Sequence, residues 1–168
     1  MKKFTLAAIV STLVIASSMG TAYAGSGSPG TIKLKVQTQN VLCTANGAGN
    51  TCLINAGKMT NSQVSGKLKV KVNVDEMNAS AIGAGSTARI DLGTVKNSTL
   101  KGNVKATINV PQVFAVAHGA NNTSTIDAGV IRDNKLGGKV RLKVTADKIV
   151  ASTVGAGNSA EIDLAVID

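Results

Sequence analysis

Aromatic side chains are nearly missing from this 168-residue chain, which has no Trp, one Tyr and two Phe. Phe4 and Tyr23 lie in a segment read below as a leader, so Phe114 is the one ring of the mature chain. Aromatic platforms for bases or sugars are thereby excluded. Histidine occurs once and cysteine twice, too few for a four-ligand Cys/His zinc site, and His118 has no second imidazole to work with. Long apolar runs are lacking too: beyond the leader nothing approaches the ~18 consecutive apolar residues of a membrane-spanning helix. No transmembrane segment is therefore expected in the mature chain. Charge is sparse, at 16% of residues, yet one-sided, with 18 Lys and Arg against nine Asp and Glu.

Met1-Lys2-Lys3 gives a basic start, residues 4–18 an apolar stretch, and Ala22-Tyr23-Ala24 the small-x-small pattern read by a signal peptidase. Residues 1–24 are thus expected to be a signal peptide, and residues 25–29 a flexible lead-in. Cleavage after Ala24 removes two basic residues and no acidic one, which leaves a mature net charge of +7. Export by an unidentified machinery, to the extracellular space or a bacterial cell surface, follows as an expectation.

What the chain has in plenty is glycine, 18 in all, and its placement is periodic. Gly30, Gly66, Gly102 and Gly138 recur every 36 residues, as do Gly47, Gly83, Gly119 and Gly155. Gly49, Gly85 and Gly157 form a third column with Asn121, and Gly57, Gly93 and Gly129 a fourth with Ala165. The repeat domain, 30–168, divides without insertion or deletion into 30–65, 66–101, 102–137 and 138–168. Such intolerance of length change predicts that equivalent residues stack on one another in a solenoid.

Within each block the period is two. Leu68, Val70, Val72 and Val74 alternate with Lys69, Lys71 and Asn73, which is the pattern of a strand with one buried and one wet face. A turn is expected at Gln39, Asp75, Pro111 and Asp147, then a second strand, then an arc at Gly47-Ala48-Gly49-Asn50 and its equivalents, whose glycines supply positive φ. A third strand carries Ile54, Ile90, Ile126 and Ile162, with Asn55, Asp91, Asp127 and Asp163 facing the other way as solvated residues. A further turn is expected at Asn97-Ser98 and Asp133-Asn134. The fold class read from this is all-β, a β-solenoid of four 36-residue repeats. An antiparallel sandwich built from hairpins is the alternative, and one or two coils per repeat both fit the spacing.

Little in the sequence carries catalytic chemistry. His118 shares a column with Asn46, Ile82 and Val154, no nucleophile and base converge, and the Gly-Ala-Gly-Asn arcs precede strands where phosphate loops precede helices. No enzyme activity, metal or cofactor is expected. Cys43 and Cys52 occur in the first block only, symmetric about the Gly47-Ala48 turn, so their side chains meet if the two strands fold back on each other. In an exported protein a disulfide is the expected state. Lys33, Lys69, Lys105 and Arg141 make an all-basic column, and Lys35, Lys71 and Lys143 nearly complete a second. Such a ladder keeps a regular β surface soluble and deters lateral pairing, and it could also hold a polyanion such as DNA, lipopolysaccharide or an acidic polysaccharide through charge alone.

The segment Gly155-Ala156-Gly157-Asn158-Ser159-Ala160, followed by Ile162 and Leu164, resembles the repeats of curlin, the subunit of bacterial curli fibres. In that family a strand, a Gly-rich arc ending in Asn-Ser and a second strand form one coil, and coils stack into a functional amyloid. The blocks here are longer and richer in lysine, contain a cysteine pair, and lack the inward Gln and Asn columns of curlin. The resemblance implies an exported β-solenoid able to form fibres. Together these readings predict a structural repeat protein of the surface or biofilm matrix that self-associates into filaments. The alternative is a monomeric adhesin that binds polyanions through the Lys/Arg ladder.

Overall fold

The computed structural model describes residues 32–132 and 135–167. The expected leader and lead-in, and the turn expected at Asp133-Asn134, lie outside the described residues. In the first coil the chain runs through β1 (Ile32–Asn46), β2 (Thr51–Ala56), β3 (Met59–Thr60) and β4 (Gln63–Val64). The second coil repeats this with β5 (Leu68–Ile82), β6 (Thr87–Leu92), β7 (Val95–Lys96) and β8 (Thr99–Leu100). In the third, the long strand is divided into β9 (Val104–Asn109) and β10 (Gln112–His118), followed by β11 (Thr123–Ala128), β12 (Ile131–Arg132) and β13 (Lys135–Leu136). The fourth holds β14 (Val140–Thr145), β15 (Lys148–Val154) and β16 (Ser159–Leu164).

Every ladder is parallel and joins residues 36 apart: Ile32 to Leu68, Leu68 to Val104, Val104 to Val140. Each repeat is therefore one coil of a β-solenoid with about four turns. Parallel pairing throughout excludes the hairpin-built sandwich, whose neighbouring strands would be antiparallel. Four stacked sheets result, one from the long strands, one from β2, β6, β11 and β16, and two narrow ones from the two-residue segments.

Those narrow sheets correct the expectation of three strands per block. Segments such as Val95–Lys96 and Thr99–Leu100 are too short to carry a period-two signal, yet each pairs with its equivalent in the adjacent coil. The expected turn at Gln39 and Asp75 is also corrected, because β1 and β5 run through it as continuous strands. What happens there is a change of parity. Val70, Val72 and Val74 point into the core before it and Met77, Ala79 and Ala81 after it, while the ladder skips the Gln39–Asp75 pair. One extra residue has been inserted, as in a bulge, and the strand bends. In the third coil Pro111 breaks the strand outright, lacking an N–H, and its carbonyl accepts from the amides of both Asp147 and Lys148.

The interior is filled by columns of like residues. Ile54, Ile90 and Ile126 stack directly, and Val70, Val72 and Ile108 of the long sheet pack toward the corner glycines Gly57 and Gly93. At the arcs Gly47, Gly83, Gly119 and Gly155 adopt φ between 118° and 132°. A Cβ on Gly83 would stand 2.1 Å from the Gly47 carbonyl oxygen, so glycine here is demanded by the stacking of arcs as well as by backbone angle. Gly93 has φ of 57°, and a Cβ there would lie 2.8 Å from the Ile108 Cδ1 of the next coil.

Candidate functional site

Alternation on the long strands sends Lys33, Lys69, Lys105 and Arg141 to the outer face, and the parallel register sets them side by side. Lys35, Lys71 and Lys143 lie one pleat further on, with Thr107 between the last two. All seven cations are exposed. Adjacent coils are ~4.8 Å apart and alternate residues along a strand ~6.7 Å apart, so the ladder is a rectangular lattice of positive charge. Lys67 and Lys139, exposed just ahead of β5 and β14, extend it at the edge. The stretches 32–38, 61–74, 97–110 and 135–146 contain no acidic residue, and no ion pair joins the ladder to any described residue.

The remaining cations behave differently, and here a second expectation fails. Asp91 and Asp127 are buried carboxylates, where alternation alone placed them in water. They do point away from the core, but into a corner between β6 or β11 and the following short strand, which long cationic side chains close over. Lys58 Nζ lies 2.7 Å from Asp91 Oδ2, and Arg89 spans two coils, with Nε 2.9 Å from Asp91 and Nη2 2.5 Å from Asp127. Lys96 Nζ adds a contact of 3.0 Å to Asp127, and Arg132 reaches Asp163 at 2.5 Å. In each coil the aspartate receives a cation from the coil before it. Burial alone would raise the Asp91 pKa, but the Lys58 hydrogen bond and the charges of Arg89 and Lys58 outweigh it and hold the carboxyl below its ordinary value. Asn55 takes this place in the first coil, where no earlier described coil offers a cation.

The arcs are cross-linked in three ways. Cys43 and Cys52 form the expected disulfide, with Cα atoms 5.8 Å apart, joining β1 to β2 across the first arc. Two coils on, the same columns hold Ala115 and Ser124, and the Ser124 hydroxyl donates to the Ala115 carbonyl at 2.5 Å. The third device is a row of polar side chains at the arc ends. The amide of Ser86 donates to Asn122 Oδ1 and the amide of Asn122 to Asn158 Oδ1, both at 2.7 Å. Asn158 Nδ2 donates in turn to the Gly119 carbonyl at 3.0 Å. This Asn column lies in plain view beside the glycines, and its function of tying one arc to the next shows only once the coils are stacked.

The two ends of the stack differ. In the first coil Leu34, Val36, Ile54 and Met59 are buried. In the fourth, Ile162 is 41% exposed, Leu164 45% and Ile167 52%, whereas Ile126, which precedes Ile162 in the same column, is fully buried. Val140, Leu142 and Val144 are half-buried there. His118 stands exposed at the end of β10, between Ile82 and Val154 on the adjacent strands. Among the described residues no group of three His, Cys, Asp or Glu is placed to hold a metal ion, and no helix is long and apolar enough to cross a membrane. Comparison of the chain with protein-family models, curated proteins and solved structures gave no match, so the likeness to curlin rests on the arc motif and the strands beside it.

Proposed function

We propose that this protein is an exported structural subunit, of the kind found in a bacterial surface or biofilm matrix, whose copies stack end to end into a continuous β-solenoid filament. The observation that carries this reading is the open interior of the fourth coil, whose Ile162, Leu164 and Ile167 repeat columns that are buried one coil earlier. The first coil of a second copy carries the equivalent residues in the matching register, Ile54 for Ile162, Ala56 for Leu164 and Met59 for Ile167; all three are buried within a single copy, so stacking must uncover that face. Asn50 of that copy would accept from the Asn158 amide as Asn158 accepts from Asn122, continuing the arc row. The buried charges also allow the junction. Because Asn55 replaces Asp in the first coil, stacking sets no second aspartate beside Asp163 at the seam.

The energies favour stacking. Burying the exposed halves of three or four large apolar side chains is worth roughly 1 kcal/mol each, and each new strand hydrogen bond adds about 0.5–1.5 kcal/mol. Against this, Lys33 and Lys35 would meet Arg141 and Lys143 at ~4.8 Å, where unit charges in water repel by about 0.9 kcal/mol per pair. Salt weakens that repulsion, so filaments should be promoted by raised ionic strength. Electron microscopy and light scattering of concentrated protein over days test the reading. Filaments are expected, and a persistent monomer refutes it.

The acid-free ladder favours a second reading, a monomeric adhesin that binds polyanions. It requires salt-sensitive binding by a chain that never associates with itself.

A further inference from the structure

We infer that the basic ladder binds a linear acidic polysaccharide laid along the solenoid axis, and that such a polymer, by crossing the seam between copies, promotes their stacking. This rests on the end-to-end stacking proposed above. Lys33, Lys69, Lys105 and Arg141 follow one another along that axis, with Lys35, Lys71 and Lys143 beside them. In a stack the rows continue from Arg141 and Lys143 of one copy to Lys33 and Lys35 of the next. The seam is the one place where cations of different molecules are brought together, so an anion bound there removes the main opposition to assembly. Four coils span only ~19 Å. A polymer longer than that touches two or more subunits, and it binds the stack more tightly than the monomer. By reciprocity it must then favour the stack.

The neighbouring residues select a saccharide over a nucleic acid. One pleat beyond the lysines runs an uncharged column of Gln37, Asn73, Asn109 and Thr145, in which Asn109 Nδ2 donates to Asn73 Oδ1 at 3.0 Å. Amides and a hydroxyl beside a charge row suit a polymer that alternates carboxylates with hydroxyls. Single-stranded nucleic acid needs stacking rings. Phe114, the one Phe, Tyr or Trp among the described residues, lies beyond the bend with Lys148 Nζ 5.4 Å from its centroid. A DNA duplex winds its phosphates away from a straight flat row.

The test follows the protein concentration at which filaments appear, by light scattering and sedimentation at low ionic strength. Long polygalacturonate, tetragalacturonate at equal uronate concentration, and duplex DNA at equal charge are compared. Long polymer should lower that concentration by about tenfold or more, the tetramer by less than about twofold, and DNA by less than the long polymer. High salt should abolish the polymer's effect. A Lys33→Gln, Lys69→Gln, Lys105→Gln, Arg141→Gln variant, checked for native β-sheet circular dichroism, should stack at or below the wild-type concentration unaided and ignore the polymer. Filaments that form in salt alone while polygalacturonate neither sediments with them nor shifts the threshold would overturn the inference and leave stacking intact. Polymer binding without filaments under any condition would overturn the stacking proposal, and bridging with it. DNA as effective as polygalacturonate would overturn the choice of ligand.

Discussion

Lys58 of the first coil and Asp91 of the second are bound to each other across the stack, 2.7 Å apart, with the carboxylate wholly withdrawn from water. The pair makes adjacent coils interdependent through charge as well as through backbone ladders. Lys58→Met should cost about 2 kcal/mol in urea unfolding, since Arg89 still faces the buried carboxylate. The double variant Lys58→Met, Asp91→Asn should recover most of the loss, because it removes the buried charge together with its partner. Losses in Lys58→Met and Asp91→Asn that simply add in the double variant would show that the pair is not coupled.

Acid should act through the same site. The Asp91 carboxyl is held below its ordinary value of 3.8, so folding favours its ionised form. Its stabilisation is present above the unfolded pKa and is lost as pH falls through the folded one. Thermal midpoints should therefore change little from neutral pH to about pH 5 and drop below about pH 4. In Asp91→Asn the drop should be shallower. An identical acid limb in both proteins would assign the transition to other groups.

Arc glycines should separate into two classes. Gly83→Ala drives a methyl into the Gly47 carbonyl oxygen, whereas a Cβ at Gly85 meets nothing within 4 Å and suffers only from its φ of 67°. Roughly 1–2 kcal/mol is expected for Gly85→Ala. Gly83→Ala should exceed it clearly or prevent folding. Similar losses at both positions would mean that the arcs do not stack as closely as described.

Much of this was legible in the sequence. The 36-residue columns, the strand alternation of Leu68 to Val74, the arcs at Gly47 and its equivalents, and the Cys43–Cys52 pairing could all be read directly. The Asp column could not, because alternation shows which way a side chain leaves its strand and not what lies there. Asp91 leaves outward into a corner closed by Lys58, a partner 33 residues away. In the sequence the bend at Gln39 and Asp75 looks the same as a turn, since a parity change and a turn interrupt the period in the same way. The exposure of Ile162 and Leu164 could not be read either, because alternation marks both as inward-facing like their buried equivalents.

The disulfide can be tested alone. Without reductant, alkylation should label neither cysteine. Reduction should lower stability by roughly 2–3 kcal/mol, as for a loop of about ten residues, and should raise amide exchange in the first arc more than in the fourth. Full labelling of the unfolded, unreduced protein at both positions would contradict the bridge.

Ala165 offers a handle on the seam. It occupies the column of Gly57, Gly93 and Gly129 at a φ of 53°. In that column a Cβ on Gly129 would sit 3.1 Å from the Val144 Cγ2 of the next coil. In a stack the Ala165 methyl would press on Val36 of the following copy. Ala165→Gly should stabilise the monomer by about 1 kcal/mol through relief of the left-handed backbone, and it should also speed filament growth. Slower growth would place the seam elsewhere.

The most direct measurement is the axial rise per subunit in filaments, from cryo-electron microscopy or fibre diffraction. Continuous stacking of four coils predicts a ~4.8 Å repeat along the axis and a subunit rise of ~19 Å, with the Ile54 of one copy over the Ile162 of another. A rise well above that value, strands running along the fibre axis, or lateral contacts through the long sheet would contradict the account.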